Sequence, residues 1–306
     1  SILSILEEKV KQGVEVRVMY DDMGSLGTLP ASYAKQLKKK GIKAVSFNRI
    51  SPIINTIMNH RDHRKILVID GKVAFSGGAN LADEYINKKV KYGHWMDNII
   101  CIKGKAVWSY LVMFLTNWNA LRHEDEDYTV FKNIDDVDEL SYDGYIAPYA
   151  ETPLDEELTG QSVYEDLLNS ANEYVYIMTP YLIIDSEMIN TLIHTAKKGV
   201  DVRIIMPGIA DKQIVHDMGR TYYAQLIQGG VKIYEYEPGF VHSKVFVCDD
   251  TYAAVGTINL DYRSLYLHFE NGTLLYKSKK VLDVKQNFMD TLLKCKEIQV
   301  EDTHVN

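Results

Sequence analysis

The 306-residue sequence has little cysteine, no excess of positive charge and no long apolar run. Three cysteines, Cys101, Cys248 and Cys295, are odd in number and widely separated. They exclude a disulfide framework and a short-spaced thiol zinc site, and they fit a reducing compartment. A formal net charge of −8 leaves no basic footprint for a polyanion, so no nucleic-acid partner is expected. No signal-peptide pattern opens the chain at Ser1-Ile2-Leu3, and no stretch of about eighteen apolar residues would span a bilayer, so membrane contact is expected to be peripheral. With 46% apolar and 25% charged residues, the chain has the composition of a folded protein large enough for two core-bearing halves.

Against that background one pattern occurs twice. Asn59-His60-Arg61-Asp62-His63-Arg64-Lys65 runs into the apolar strand Ile66–Ile69 and ends at Asp70. Val241-His242-Ser243-Lys244 runs into Val245–Cys248 and ends at Asp249 with identical spacing. On a strand of period two, His63 and Lys65 project from one face, as do His242 and Lys244. Asp70 and Asp249 lie at odd separations from them and face away, which assigns them to the turn that follows. After six intervening residues come Gly77-Gly78-Ala79-Asn80 in the first copy and Gly256-Thr257-Ile258-Asn259 in the second. Two copies of so extended a pattern imply one shared site.

These residues resemble the phospholipase D superfamily, whose signature is His-x-Lys-x4-Asp followed by a small-residue turn and Asn. More narrowly, Asp83-Glu84-Tyr85, Trp95-Met96-Asp97 and Leu260-Asp261-Tyr262-Arg263-Ser264 are similar to the bacterial cardiolipin synthase family, and the resemblance covers nearly the whole chain. It implies an α/β fold of two repeated phospholipase D-like lobes about a pseudo-twofold axis, each a mixed sheet flanked by helices. It also implies metal-free phosphatidyl transfer through a phosphohistidine, with phosphatidylglycerol and other phospholipids at a membrane surface as partners and no cofactor. Hydrolysis of phospholipids and a nuclease of the same fold are the enzymatic alternatives. An inactive lipid-binding scaffold is disfavoured because His, Lys and Asn are intact in both copies. The expected location is the cell membrane, with the catalytic part in the cytoplasm.

The repeat extends through the chain. A helix over residues 1–12 stops at Gly13 before the strand Val14–Tyr20, and the same order recurs around Gly199 before Val200–Met206. A second helix stops at Gly41 before Ile42–Phe47, and its counterpart stops at Gly229-Gly230 before Val231–Tyr234. Each copy closes with a strand and a helix, Asn98–Lys103 with Val107–Leu121 and Gly272–Tyr276 with Val281–Leu293. The expected division is a first repeat at 1–122, an acidic connector at 123–160 read as a solvated linker, and a second repeat at 161–306. Two differences stand out. The first copy carries an insertion, Ser46–Asn59, expected at the rim of the site. Residues 161–186 have no counterpart before Ser1, so the chain is expected to be a catalytic portion, either of a protein that extends further upstream or of one that has been trimmed.

Displacement at a phosphodiester needs a nucleophile, an acid for the departing alkoxide, and fixed positive charge around the phosphoryl oxygens. His63 and His242 can divide the first two roles, because imidazole titrates near neutral pH. Lys65 and Lys244 would bracket the phosphate, with Asn80 and Asn259 as neutral donors. Each imidazole needs an acceptor for its second nitrogen. The resemblance implies that Glu270 serves His63 and Asp97 serves His242, across the two copies. Arg263 and Ser264 would brace the site, and Met96 stands where the family usually has Arg. No metal is expected. His60 precedes His63 without further ligands, and His94, His123, His194, His216, His268 and His304 read as solvated or structural. Tyr222-Tyr223 and Tyr234-Glu235-Tyr236 fit either a lipid channel or the core.

Overall fold

The computed structural model describes residues 2–49, 59–123, 125–132 and 143–303. The second lobe is built on one eight-stranded sheet, in the order Cys295–Ile298, Lys232–Tyr236, Asp201–Pro207, Tyr174–Met178, Val245–Cys248, Tyr252–Gly256, Glu270–Tyr276 and Tyr145–Glu151. The Asp201–Pro207 strand runs parallel to both of its neighbours, and the remaining pairs are antiparallel. Every residue of Tyr174–Met178 and Val245–Cys248 is buried, as expected for strands covered on both faces. Alternation then sorts the side chains: Val175 and Ile177 join Leu167, Leu168, Met188 and Leu192 from helices Thr159–Ser170 and Ser186–Lys197 on one face. Tyr174, Tyr176 and Met178 meet Val281 and Phe288 of helix Lys280–Leu292 on the other. The helix-stopping glycines behave as their repeat predicts, with φ of +87° and +94° at Gly13 and Gly199 and +79° and +100° at Gly41 and Gly230.

The first lobe repeats this plan with one position unfilled. Arg17–Asp21 pairs in parallel with Lys43–Phe47, as Asp201–Pro207 does with Lys232–Tyr236. Ile66–Ile69, Val73–Gly77 and Ile99–Lys103 form an antiparallel sheet, as Val245–Cys248, Tyr252–Gly256 and Glu270–Tyr276 do. In the second lobe Tyr174–Met178 joins the two groups; among the described residues no strand does so in the first, and its sheet is split in two. A cleft of about 790 Å³ lies there instead, lined by Arg17, Ile66, Val68, Phe114, Leu115 and Phe131 among others.

The connector differs from a solvated linker. Its Tyr145–Glu151 segment is the edge strand of the second lobe's sheet, where Pro148 is tolerated because an edge position needs no second ladder of N–H donors. Glu126 makes a two-pronged ion pair with Arg17 at 2.6 and 2.9 Å. The acidic residues 135–139 and most of the Ser46–Asn59 insertion, residues 50–58, lie outside the described residues. Helix Gln213–Arg220 is an element that the repeat did not announce.

Candidate active site

Two short strand pairings between the lobes build the site, and they are copies of each other. Gly239–Val241 runs parallel to His94–Met96, so that the His242 amide donates to the Met96 carbonyl at 2.7 Å and Asp97 follows directly. Asp62 bridges Phe269 in parallel, so that the His63 amide donates to the Phe269 carbonyl at 2.9 Å and Glu270 follows directly. Each lobe thus presents a carboxylate to the other lobe's histidine. His63 Nδ1 lies 2.9 Å from both Glu270 oxygens, and His242 Nδ1 lies 2.7 Å from Asp97 Oδ2. Both expected acid partners are where the resemblance placed them.

The approach is tight around Asp97. A Cβ on Gly78 would sit 2.1 Å from Asp97 Oδ1 and 3.0 Å from the His242 carbonyl oxygen, so only glycine admits the carboxylate. The entering segment is braced by its own charges. Arg61 Nε and the Asp62 amide both donate to Asp21, and the Asp62 carboxylate accepts from Arg64.

Electrostatics settle the tautomers. Burial alone would raise Glu270, but the opposing pull of His63, His268 and Lys65 is stronger and holds it well below the usual carboxylate range. Burial likewise opposes the ionisation of Asp97, and the hydrogen bond and charge of His242, with Lys244, hold it below its ordinary value. Both are therefore ionised acceptors at neutral pH, each Nδ1 carries the hydrogen and donates it, and each Nε2 offers a lone pair. Burial lowers His63, and burial with the Lys244 charge lowers His242 to about 3. In the free protein both imidazoles are neutral. A bound anion would favour the protonated form of His242.

The two lysines share the same enclosure. Each ammonium donates to the carbonyl of the histidine two residues before it. Burial pushes Lys65 down to about 8 and Lys244 to about 7, and the Lys65 charge adds to the depression of Lys244. The charge of each also lowers the other lobe's histidine, so the four groups lie within electrostatic reach of one another. The sign of the resulting pH dependence follows. A lysine with a lowered pKa is charged below that value and neutral above it, and only the ammonium attracts phosphate. kcat/KM, which reports the free enzyme, is expected to fall as pH rises through 7 to 8. The alkaline limb of kcat should lie higher, because bound phosphate favours the charged form. Parallel pH profiles of the two parameters check this; superimposable alkaline limbs would remove the lysines from phosphate binding.

Asn259 is 5% exposed, gives one hydrogen bond to Asp261 and leaves its Oδ1 buried without a partner. Asn80 is exposed and donates to the Tyr85 hydroxyl. Asp70 and Asp249 are not brought to the site. Both occupy type I′-like hairpin turns with left-handed φ, 54° and 50°, as their parity implied. Asp249 also accepts from the amides of Asn172, Glu173 and Tyr174, fixing the start of the central strand. Exposed Asp70 lines the cleft in the first lobe, where no strand among the described residues takes that place. Ser264 is fully buried and its amide caps onto Asp261, and Arg263 Nε reaches His268 at 3.4 Å. Met96 accepts a hydrogen bond from Ser243 through its sulfur.

The structure adds residues that sequence reasoning missed. His268, read as solvated or structural, is largely buried with Nδ1 3.6 Å from Glu270 and its ring 5.8 Å from that of His63. His63, His268 and Glu270 together present ligand-type atoms within 4.8 Å of one another. Tyr85, Trp95 and Phe240 enclose His242 at ring separations of 5.4, 5.3 and 5.9 Å. Both histidines of the doubled pattern were visible from spacing; His268 and the aromatic wall carried no such signal. Tyr223 is wholly buried and Tyr236 nearly so, on the core side of their open alternative.

Paired lobes that exchange carboxylates around two His-Lys pairs define a phospholipase D fold. The description "Cardiolipin synthase, PLD-like domain" matches residues 1–112 and 164–292, and the chain belongs to this family. It is 38% identical over 307 residues to cardiolipin synthase 2 of Bacillus anthracis and 36% identical over 304 residues to cardiolipin synthase of Halalkalibacterium halodurans, covering 99% and 98% of this chain and 59% of each relative. An uncharacterized protein of Streptococcus mutans is 53% identical over 291 residues, 95% of this chain and 63% of its own length. The chain thus spans about three fifths of these relatives. Among solved structures, the phosphatidylserine synthase of Haemophilus influenzae superposes over 96% of this chain and 78% of its own, with a TM-score of 0.67 at 17% identity, which establishes the shared two-lobed fold.

Proposed function

We propose that the chain transfers a phosphatidyl group between phospholipids, converting two phosphatidylglycerols into cardiolipin and glycerol. The observation that carries this reading is the crossed arrangement of two imidazoles, each held by the other lobe's carboxylate, beside Lys65 and the buried Lys244. His63 Nε2 attacks phosphorus while the bond to the headgroup glycerol oxygen breaks. That oxygen takes the proton of His242, whose imidazolium form the bound phosphodiester anion favours, and a phosphatidyl-His63 remains. The hydroxyl of a second phosphatidylglycerol then gives its proton to His242 and attacks phosphorus. The P–N bond breaks and both histidines return to their starting state. In this reading Lys65 and Lys244 bracket the phosphoryl oxygens and Asn259 offers its second Nδ2 hydrogen, a kind of donor whose loss costs on the order of 10²–10³ in rate.

Incubation with radiolabelled phosphatidylglycerol as sole lipid is expected to give labelled cardiolipin and free glycerol. Phosphatidic acid as the main product would make water the acceptor and the protein a hydrolase. Turnover should also withstand EDTA. Activity lost to the chelator and restored by a divalent ion would instead assign His63, His268 and Glu270 to a metal.

A further inference from the structure

Two segments that border the site hold side chains the folded core does not use. Of the eight large apolar side chains at least 70% exposed among the described residues, four lie in them: Leu81 at 83%, Ile86 at 70%, Val90 at 76% and Ile214 at 80%. Met218, four residues after Ile214 on helix Gln213–Arg220, shares its face and is 48% exposed. Neither segment is loose. The Asn87 carboxamide pairs with both backbone groups of Trp95, at 2.7 and 2.8 Å, and Tyr85 turns inward to pack 4.4 Å from the Trp95 ring. Ile86 is thereby held outward. Ahead of the helix, Asp211 accepts from Tyr181 at 2.7 Å, and Tyr181 leans on Phe240 in the wall around His242. The segments are joined through a run of rings: Tyr85 packs on Trp95 at 4.4 Å, Trp95 on Phe240 at 4.9 Å and Phe240 on Tyr181 at 6.4 Å, and Tyr181 holds Asp211.

We propose that residues 81–91 and helix Gln213–Arg220 form one surface that seats in an anionic phospholipid layer. Leu81, Ile86, Val90, Ile214 and Met218 enter the acyl boundary, and Lys88, Lys89, Lys91 and Lys212 meet headgroup phosphates. The inference rests on the lipid substrate proposed above and names the face by which the site meets it. Exposed apolar residues interleaved with lysines are the pattern of an interfacial element. The centre of a protein–protein interface is instead depleted of charge. Asp83 and Glu84 offset two of the three lysines between 81 and 91, leaving the segment net positive on a chain of net charge −8. Its contribution is therefore mainly apolar, with the lysines selecting anionic lipid.

Co-sedimentation with vesicles of phosphatidylglycerol and phosphatidylcholine tests the surface without turnover. Ile214→Asp and Val90→Asp should each lower the vesicle partition coefficient about tenfold. Leu154→Asp, at an equally exposed apolar residue elsewhere, should not change it. Ile214→Trp should gain a fluorescence signal that brominated lipids quench, a readout that no loss of folding can imitate. Partition into pure phosphatidylcholine should be weaker, and salt should weaken binding to the mixed vesicles. Variants that sediment like the parent, an equal loss from Leu154→Asp, an unquenched reporter, or indifference to lipid charge would each overturn the proposal. The same proteins are assayed for cardiolipin formation in detergent micelles. Turnover there, with vesicle binding indifferent to the substitutions, sinks the surface alone. Vesicle binding through these residues without lipid turnover sinks the proposed reaction alone.

Discussion

Alanine at position 63 is expected to abolish the phosphoenzyme with every substrate, whereas alanine at 242 should abolish it only where the leaving group needs a proton. The two imidazoles occupy equivalent frames, so geometry by itself does not rank them. Their surroundings differ. The His63 side chain is 27% exposed and His242 is 8% exposed behind Tyr85, Trp95 and Phe240. The more accessible nitrogen is assigned to attack, and the enclosed one to proton transfer. With a nitrophenyl phosphodiester the leaving phenolate departs without an acid, so His242→Ala should still accumulate an adduct that acid quench and peptide mass spectrometry place on residue 63. With phosphatidylglycerol the same variant should fall by about 10²–10⁴, the usual contribution of general acid–base catalysis. An adduct on His242 with His63 unmodified would reverse the assignment.

The doubled pattern explains why so much of this site could be read before any coordinates. Its members lie close together in sequence and their spacing carries strand parity, so His63 with Lys65, His242 with Lys244, and the turn positions of Asp70 and Asp249 follow from local geometry. The crossing of Glu270 to His63 and Asp97 to His242 is of another kind. It depends on the pairing of Gly239–Val241 with His94–Met96 and on the Asp62–Phe269 bridge, contacts between segments far apart in the chain, and it was accessible only through resemblance. His268 shows the limit. One histidine in Leu267-His268-Phe269 has no periodic partner, and its place beside Glu270 follows from the same long-range pairing.

The fold shows a parallel division. Helix, glycine and strand recur in both copies because each unit is set by short-range periodicity and a left-handed stop. Tyr145–Glu151 escaped notice because it carries Pro148 and follows an acidic stretch, features of a linker that an edge strand also accepts. Helix Gln213–Arg220 escaped because its apolar residues do not face a core: Gly219 is its one buried position. Among the described residues no strand of the first lobe takes the place that Tyr174–Met178 takes in the second, and the cleft beside Ile66 and Val68 lies at that place.

The carboxylates should separate the two histidines as sharply as the histidines themselves. In Glu270→Gln the amide keeps the size of the acid but can donate to Nδ1, which moves the imidazole hydrogen to Nε2 and removes the attacking lone pair. A wrong tautomer of this kind costs about 10⁴ in kcat in an oriented acid–His pair. Adduct formation on His63 should fall by that order with phosphatidylglycerol and with the nitrophenyl diester alike. Asp97→Asn acts on the other ring. It withdraws the charge that supports a protonated His242, so turnover of phosphatidylglycerol should fall by a similar factor, while the nitrophenyl diester should still form adduct on His63 at close to the parent rate. Glu270 is wholly buried and contacts His268 as well, so circular dichroism and thermal unfolding of Glu270→Gln should accompany the kinetics. A folded Glu270→Gln protein that forms adduct normally would remove Glu270 from the reaction. If instead Asp97→Asn alone blocks the adduct with the activated diester, the pairs have exchanged roles and His242 is the nucleophile.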